Sequence, residues 1–187
     1  MKKTSTENPW KLMTHNKVYE SPWIHVEHHE VINPAGNAGT YSVIHFKKLA
    51  VGIVPLDDEY NTWIVGQYRY PMKCYTWEIP EGGGERELDP LVSAQRELLE
   101  ECGLIAHQWT LIQELQLSNS ATDEVAYLFV AKGLTYTEAQ PEETEQLEVK
   151  KIPFEKAYEM VLNGTITDAM SVAAILRVKL MIKDGLI

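Results

Sequence analysis

The chain has 187 residues, 44% of them hydrophobic and 24% charged, with a formal net charge of −10. That length supports one domain with a sizeable core plus an appendage. The acidic balance argues against broad electrostatic binding to nucleic acid, which needs a basic surface, and no apolar run approaches the roughly 18 residues that span a bilayer.

The first residues, Met1 to Pro9, are basic but lead into no apolar run, so they do not read as a secretory signal. The first part of the chain, to about Phe46, has the look of short strands joined by turns. Trp23 to Val31 is a strand with mixed alternation, Asn33-Pro34-Ala35-Gly36 a turn, and Gly39 to Phe46 alternates again. On a strand His25 and His29 share a face while His28 points away. No cysteine or carboxylate pattern marks a zinc site there, so these histidines read as surface or pairing residues.

Apolar runs suited to a mixed sheet follow: Leu49 to Pro55, Trp63 to Tyr70 and Tyr75 to Ile79. A glycine-rich loop at Gly82-Gly83-Gly84 then leads into a helix. Asp89 can cap that helix, Pro90 suits its first turn, and Gly103 suits a left-handed C-terminal cap. Gln108 to Leu117, Val125 to Ala131 and Leu147 to Ile152 read as further strands. Two helices close the chain. Phe154 to Leu162 stops at Asn163-Gly164, and Asp168 to about Lys183 stops at Asp184-Gly185, with Lys179 and Lys183 near the negative end of the helix dipole. The expected class is α/β, a mixed sheet flanked by helices in an α/β/α sandwich, preceded by a small N-terminal β segment. The two cysteines, Cys74 and Cys102, fit a reduced, cytoplasmic protein.

The chemistry concentrates on the central helix. Glu97, Glu100 and Glu101 stand at i, i+3 and i+4, so they share one face. Leu91, Leu98, Leu99 and Cys102 fall mostly on other sides. Three converging carboxylates repel one another unless a cation or a proton sits among them, and a hard ion such as Mg²⁺ takes oxygen ligands of this kind. Taken alone, Glu100 and Glu101 would read as a solvated helix face. The glycine loop, Arg96 and Gly103 at fixed spacing argue for a site.

Gly82, Arg96, Glu97, Leu98, Glu100, Glu101, Gly103 and Leu104 resemble, without a gap, the box of the Nudix hydrolases, G-x5-E-x7-R-E-U-x-E-E-x-G-U with U aliphatic. One position departs: Leu88 stands where the first glutamate belongs, and Glu87 is adjacent but out of register. The resemblance extends to Val65-Gly66-Gln67-Tyr68-Arg69-Tyr70-Pro71 and to Trp77-Glu78-Ile79-Pro80-Glu81-Gly82. Both are similar to segments of the ADP-ribose pyrophosphatase and nucleoside diphosphate-sugar hydrolase branch, with Glu81 in place of the usual alanine. It covers roughly residues 45 to 180, and the N-terminal segment fits more loosely the small β-domain that this branch often exchanges between the halves of a dimer.

The resemblance implies the Nudix fold over residues 47–187, a possible dimer-exchange segment over 1–46, and a homodimer. It implies Mg²⁺ (or Mn²⁺) held by Glu97, Glu100, Glu101 and the backbone carbonyl of Glu81, with Arg96 pairing a neighbouring carboxylate. Gln67, Arg69, Glu78 and Glu124 would border the substrate, Arg69 being suited to phosphate oxygens. Either Glu143 or Glu145 would activate water. The implied substrate is a small nucleoside diphosphate, ADP-ribose or a related nucleoside diphosphate sugar, cleaved at its diphosphate. GDP-mannose or another sugar nucleotide is the alternative, and a non-catalytic nucleotide-binding module a third. Intact Glu97, Glu100 and Glu101 favour an enzyme; Leu88 counts against it. Like charges about 4 Å apart cost on the order of 4 kcal/mol at an effective dielectric near 20, so an anionic substrate can approach these glutamates only through a divalent ion. Residues 117 to 124 lack the proline and glycine of the corresponding family loop, which leaves base and sugar open. Trp10, Trp23, Trp63, Trp77 and Trp109 are candidates to stack on a base, although tryptophans more often pack cores.

Overall fold

The computed structural model describes residues 7–138 and 146–187. The chain divides into two compact units: one takes the residues up to Lys47 together with Gln116–Glu124, the other Lys48–Leu115 with Val125–Ile187.

In the first unit, β1 (Lys11–Glu20), β2 (Ile24–Ile32) and β3 (Ala38–Phe46) form an antiparallel meander in that order. The β2–β3 hairpin closes at the expected turn. Asn33 Oδ1 accepts from the N–H groups of Ala35 and Asn37, and Gly36 takes φ +88°, a left-handed conformation that glycine adopts without a Cβ penalty. All of β1 is exposed, and Val31 is the one buried apolar side chain among the described residues of this unit.

The second unit holds two sheets. One has the order β7 (Glu81–Glu85), β4 (Lys48–Pro55), β9 (Glu124–Tyr136), β8 (Leu104–Leu117), with β4 antiparallel to β7 and parallel to β9. The other has the order β10 (Glu148–Pro153), β5 (Asn61–Arg69), β6 (Cys74–Glu78) and is antiparallel. Three helices accompany them: α1 (Pro90–Cys102), α2 (Phe154–Leu162) and α3 (Ala169–Lys183).

Strand β4 explains the layering. Leu49, Val51 and Ile53 pack with Ala94 and Leu98 of α1 and with Phe129 and Ala131 of β9. The opposite face is so close to its cover that a Cβ on Gly52 would press on Ile79, Leu128 and Met170, the last from α3. A strand buried on both faces reads as a continuous apolar run rather than an alternating one, which is the pattern of residues 49–55. The result is the expected mixed sheet between helical layers.

Helix α1 starts and stops as its sequence dictates. The Asp89 side chain accepts from Leu91 N–H, Pro90 occupies the first turn, and Gly103 closes the helix at φ 62°. Strand β8 begins at once, at Leu104, earlier than the expected Gln108, and β9 continues past Ala131 to Tyr136. The expected glycine loop needs correction. Glu81–Glu85 is a strand, β7, paired in register with β4 from Gly52↔Glu81 to Lys48↔Glu85. Its glycines serve close approach: a Cβ on Gly82 would land on the Glu97 carboxylate, and one on Gly84 on Ser93, both on α1.

Candidate active site

Because β7 carries no side chains at its three glycines, α1 lies against its backbone, and the helix carboxylates reach the main chain. Glu97 is 7% exposed and Glu101 2%. Buried carboxylates are tolerated only when paired. Glu101 Oε2 accepts the Glu81 N–H at 3.1 Å. Arg96 donates from Nη1 to Glu100 Oε2 at 2.6 Å, and from Nη2 to Glu97 Oε1 at 2.6 Å and to the Gly83 carbonyl at 2.7 Å. One guanidinium thus ties two of the three helix carboxylates to the strand. Burial works against the Arg96 charge, but Glu97 and Glu100 outweigh it and hold the guanidinium protonated.

A second ionic group sits where β5, β6, β7 and the start of α3 converge. Arg69 donates from Nε to Glu78 Oε2 at 3.0 Å, and from Nη2 to Glu78 Oε1 at 2.6 Å and Glu81 Oε1 at 2.7 Å. Gln67 Nε2 donates to Glu78 Oε1 at 2.6 Å. Glu78 is 1% exposed, and burial raises its pKa even though Arg69 and Gln67 oppose the rise. Burial, then the charges of Asp168 and Glu78, push the Glu81 carboxyl well above the usual carboxylate range. Arg69, Glu78, Glu81, Asp168 and Thr76 line a cavity of about 430 Å³. The sequence offered no sign of Asp168 here except as the start of the last helix, which it caps by accepting from Ser171 N–H at 2.7 Å.

The donors present suit a hard divalent ion. They are oxygens, mostly carboxylate, and Glu81 Oε2 is buried with no hydrogen-bond partner among the described residues. Gly82 keeps open the space beside the Glu97 carboxylate that a Cβ would fill. The set is nevertheless not closed. Among the described residues, the clusters whose ligand atoms all lie within 4.8 Å of one another are histidine–glutamate sets of the first unit. On α1, Arg96 and the Glu81 N–H take up carboxylate oxygens that would otherwise turn to an ion.

Other expected positions are scattered. Leu88 is 52% exposed in the turn before α1. Glu124 belongs to the first unit, where its N–H lies 3.4 Å from Thr122 Oγ1. Glu143 and Glu145 lie outside the described residues. Trp63 is buried, and Trp109 is half-buried against Phe129 with its Nε1 donating to Ala106 O. These two are packing residues. Trp77 has Lys150 Nζ 4.1 Å over its ring and Tyr75 at its edge. Trp10 packs edge-on to Tyr41, and Trp23 is 69% exposed. Cys74 and Cys102 are free thiols, and burial, with Glu101 adding, pushes the Cys102 pKa far up.

A mixed sheet between helices, with a glycine strand laid on an arginine–glutamate helix, defines a class. The family model of the NUDIX domain matches residues 46–172, and that of the nucleoside diphosphate sugar hydrolase N-terminal domain matches residues 7–44. The chain belongs to the Nudix family and is a Nudix hydrolase. Among known proteins it is similar to an ADP-ribose pyrophosphatase of Mycobacterium tuberculosis, 34% identical over 157 residues, covering 80% of this chain and 73% of that one. It is also similar to an ADP-ribose pyrophosphatase of Bacillus subtilis, 29% identical over 167 residues, covering 88% of this chain and 90% of that one. A crystal structure of an ADP compounds hydrolase shares the fold at a TM-score of 0.86 and 21% identity, covering 97% of this chain and 98% of that one. No described helix is long and apolar enough to cross a membrane.

Proposed function

We propose that the enzyme hydrolyses the diphosphate of ADP-ribose or a related nucleoside diphosphate sugar, giving a nucleoside monophosphate and a sugar phosphate, with Mg²⁺ (or Mn²⁺) as the ion. The observation that carries this reading is the anchoring of Glu97 and Glu101 on the backbone of β7, through Arg96–Gly83 and the Glu81 N–H. Glu97, Glu100, Glu101 and the Glu81 carbonyl would hold the ion. When bound it supplies charge neutralisation of the diphosphate and a lowered pKa for bound water. Arg96, bonded to both, orients Glu97 and Glu100. Glu78 and Glu81 orient the Arg69 guanidinium, which meets phosphate oxygens at the substrate side. Gln67 and Glu78 brace that arginine. Glu143 or Glu145 takes the proton of the attacking water as its oxygen bonds to phosphorus and the bridging P–O bond breaks.

The test is turnover with a panel of nucleoside diphosphate sugars, ADP-ribose and GDP-mannose included. Activity should require added divalent ion, stop in EDTA, and fall in Glu101→Gln with the fold intact by circular dichroism. Turnover undiminished by EDTA would refute the proposal. Tight binding of one nucleotide without cleavage would instead assign the chain as a sensor. We also assign a homodimer to the protein, supported by the exposed apolar side chains Leu12, Met13, Val18, Tyr19 and Trp23 of the first unit, and a cytoplasmic location, supported by the two free cysteines. Light scattering at micromolar concentration tests the former.

A further inference from the structure

The first unit places four histidines around one carboxylate. On β2, His25, Glu27 and His29 alternate, so all three point to one face of the sheet. Register adds the others. His15 of β1 stands opposite His29, and His45 of β3 stands opposite His25. Glu27 Oε2 lies 3.0 Å from His15 Nδ1 and 2.9 Å from His29 Nε2. On the other side, Glu27 Oε1 lies 3.7 Å from His25 Nε2, and Oε2 lies 3.9 Å from His45 Nε2. The potential ligand atoms of His15, Glu27 and His29, and separately of His25, Glu27 and His45, all fall within 4.8 Å of one another. Ligands about 2.0–2.1 Å from a tetrahedral ion are about 3.3 Å apart, inside the range seen here.

We propose that this face binds a borderline divalent transition-metal ion of the Zn²⁺ type, with Glu27 as the shared ligand and His25 and His45, or His15 and His29, completing each set. Imidazole nitrogens with one carboxylate suit Zn²⁺, Ni²⁺ or Cu²⁺, whereas Mg²⁺ prefers oxygen. Each set supplies three protein ligands and so leaves a coordination position for water or a further group.

Three further observations support the assignment. His45 is braced from behind: its Nδ1 lies 2.8 Å from Asp123 Oδ2, at the tip of the β8–β9 hairpin within the same unit. A carboxylate on the far nitrogen of a ligating histidine fixes its tautomer and ring direction. The charge pattern also exceeds what an ion pair needs. The lysine opposite Glu27 in the register, Lys17, instead places its Nζ 2.8 Å from Glu20. Finally, the unit needs a fastening. Three strands with Val31 as the one buried apolar side chain among the unit's described residues form a poor core, and metal ligation that joins β1, β2 and β3 contributes directly to folding.

The test is a Co²⁺ titration of the full-length protein in saturating Mg²⁺, which occupies oxygen-rich sites, followed by visible ligand-field bands and displaced with Zn²⁺. The wild type should bind and gain thermal stability. Glu27→Gln should abolish the bands, Asp123→Asn should weaken binding about 10- to 100-fold, and His28→Ala, on the opposite face of the same strand, should bind as the wild type does. No uptake by the wild type, or wild-type uptake by Glu27→Gln, would overturn the proposal. Imidazole NMR on the unaltered protein guards against a misfolded variant. Zn²⁺ should shift the ring signals of His25 and His45, of His15 and His29, or of both pairs, and spare His28, and equal shifts at all five would overturn it as well.

Discussion

The carboxylates of α1 and the histidine face of β2 solve the same problem, a crowded set of ionisable side chains, with opposite materials. On α1, three glutamates rely on a guanidinium and a main-chain N–H for neutralisation, so Glu97 and Glu101 stay nearly buried. On β2, one glutamate is surrounded by four imidazoles drawn from three strands, and the set stands partly open to water. Helical spacing stacks like residues on a single segment, whereas a sheet assembles unlike residues from three. On the proposals made above, the first arrangement would select hard ions and the second borderline ones.

The largest effect should separate the two regions. Glu101→Gln should lower kcat on the order of 10³-fold, since the ion's contribution is several kcal/mol and each 1.36 kcal/mol is tenfold. It should leave Co²⁺ uptake at the histidine face unchanged, and loss of both would show that the regions are coupled. Next, Glu143→Gln and Glu145→Gln made singly should give one loss on the order of 10²-fold or more in kcat; two small losses would put the base elsewhere. Gly82→Ala should follow, with roughly tenfold weaker activation by Mg²⁺, because the added Cβ displaces the Glu97 carboxylate; about 1 Å of misplacement is enough to cost up to 10²-fold.

The smallest effect is expected at a control residue belonging to neither region. Burial would raise the Asp57 pKa, but bonds from Lys151 and Asn61 outweigh it and hold the group down at about 2. A depressed carboxyl pKa stabilises the fold above the unfolded value near 3.8 and loses that contribution as pH falls toward 2. Asp57→Asn should therefore flatten the acid limb of the stability curve between about pH 4 and 2, without altering kcat or Co²⁺ uptake. An unchanged acid limb in thermal melts would remove this ion pair from the account.

Local signals were legible because they depend on neighbours in sequence. Asp89, Pro90 and Gly103 bound α1 through groups within a turn of themselves, and the spacing of Glu97, Glu100 and Glu101 follows from helical pitch. The turn at Asn33–Gly36 is equally local. The glycines were readable as special but not as a strand. Gly82-Gly83-Gly84 has the composition of a loop, and only a helix pressed against it turns that composition into an edge strand. Asp168 was legible as the start of a helix, while its place beside Arg69, Glu78 and Glu81 depends on α3 packing across the end of β6.

By itself, then, the sequence determined the helix with its carboxylates, the α/β class and the Nudix family, because period, capping and motif spacing are properties of short stretches of chain. Tertiary structure alone decided which carboxylates are buried, that Glu81 joins Arg69 through its side chain, and that His15 and His45 flank Glu27. The physical reason is strand register. Partners separated by 12 or by 18 residues meet only after two hairpins have closed, and a slip of one residue would send each histidine to the opposite face of its sheet.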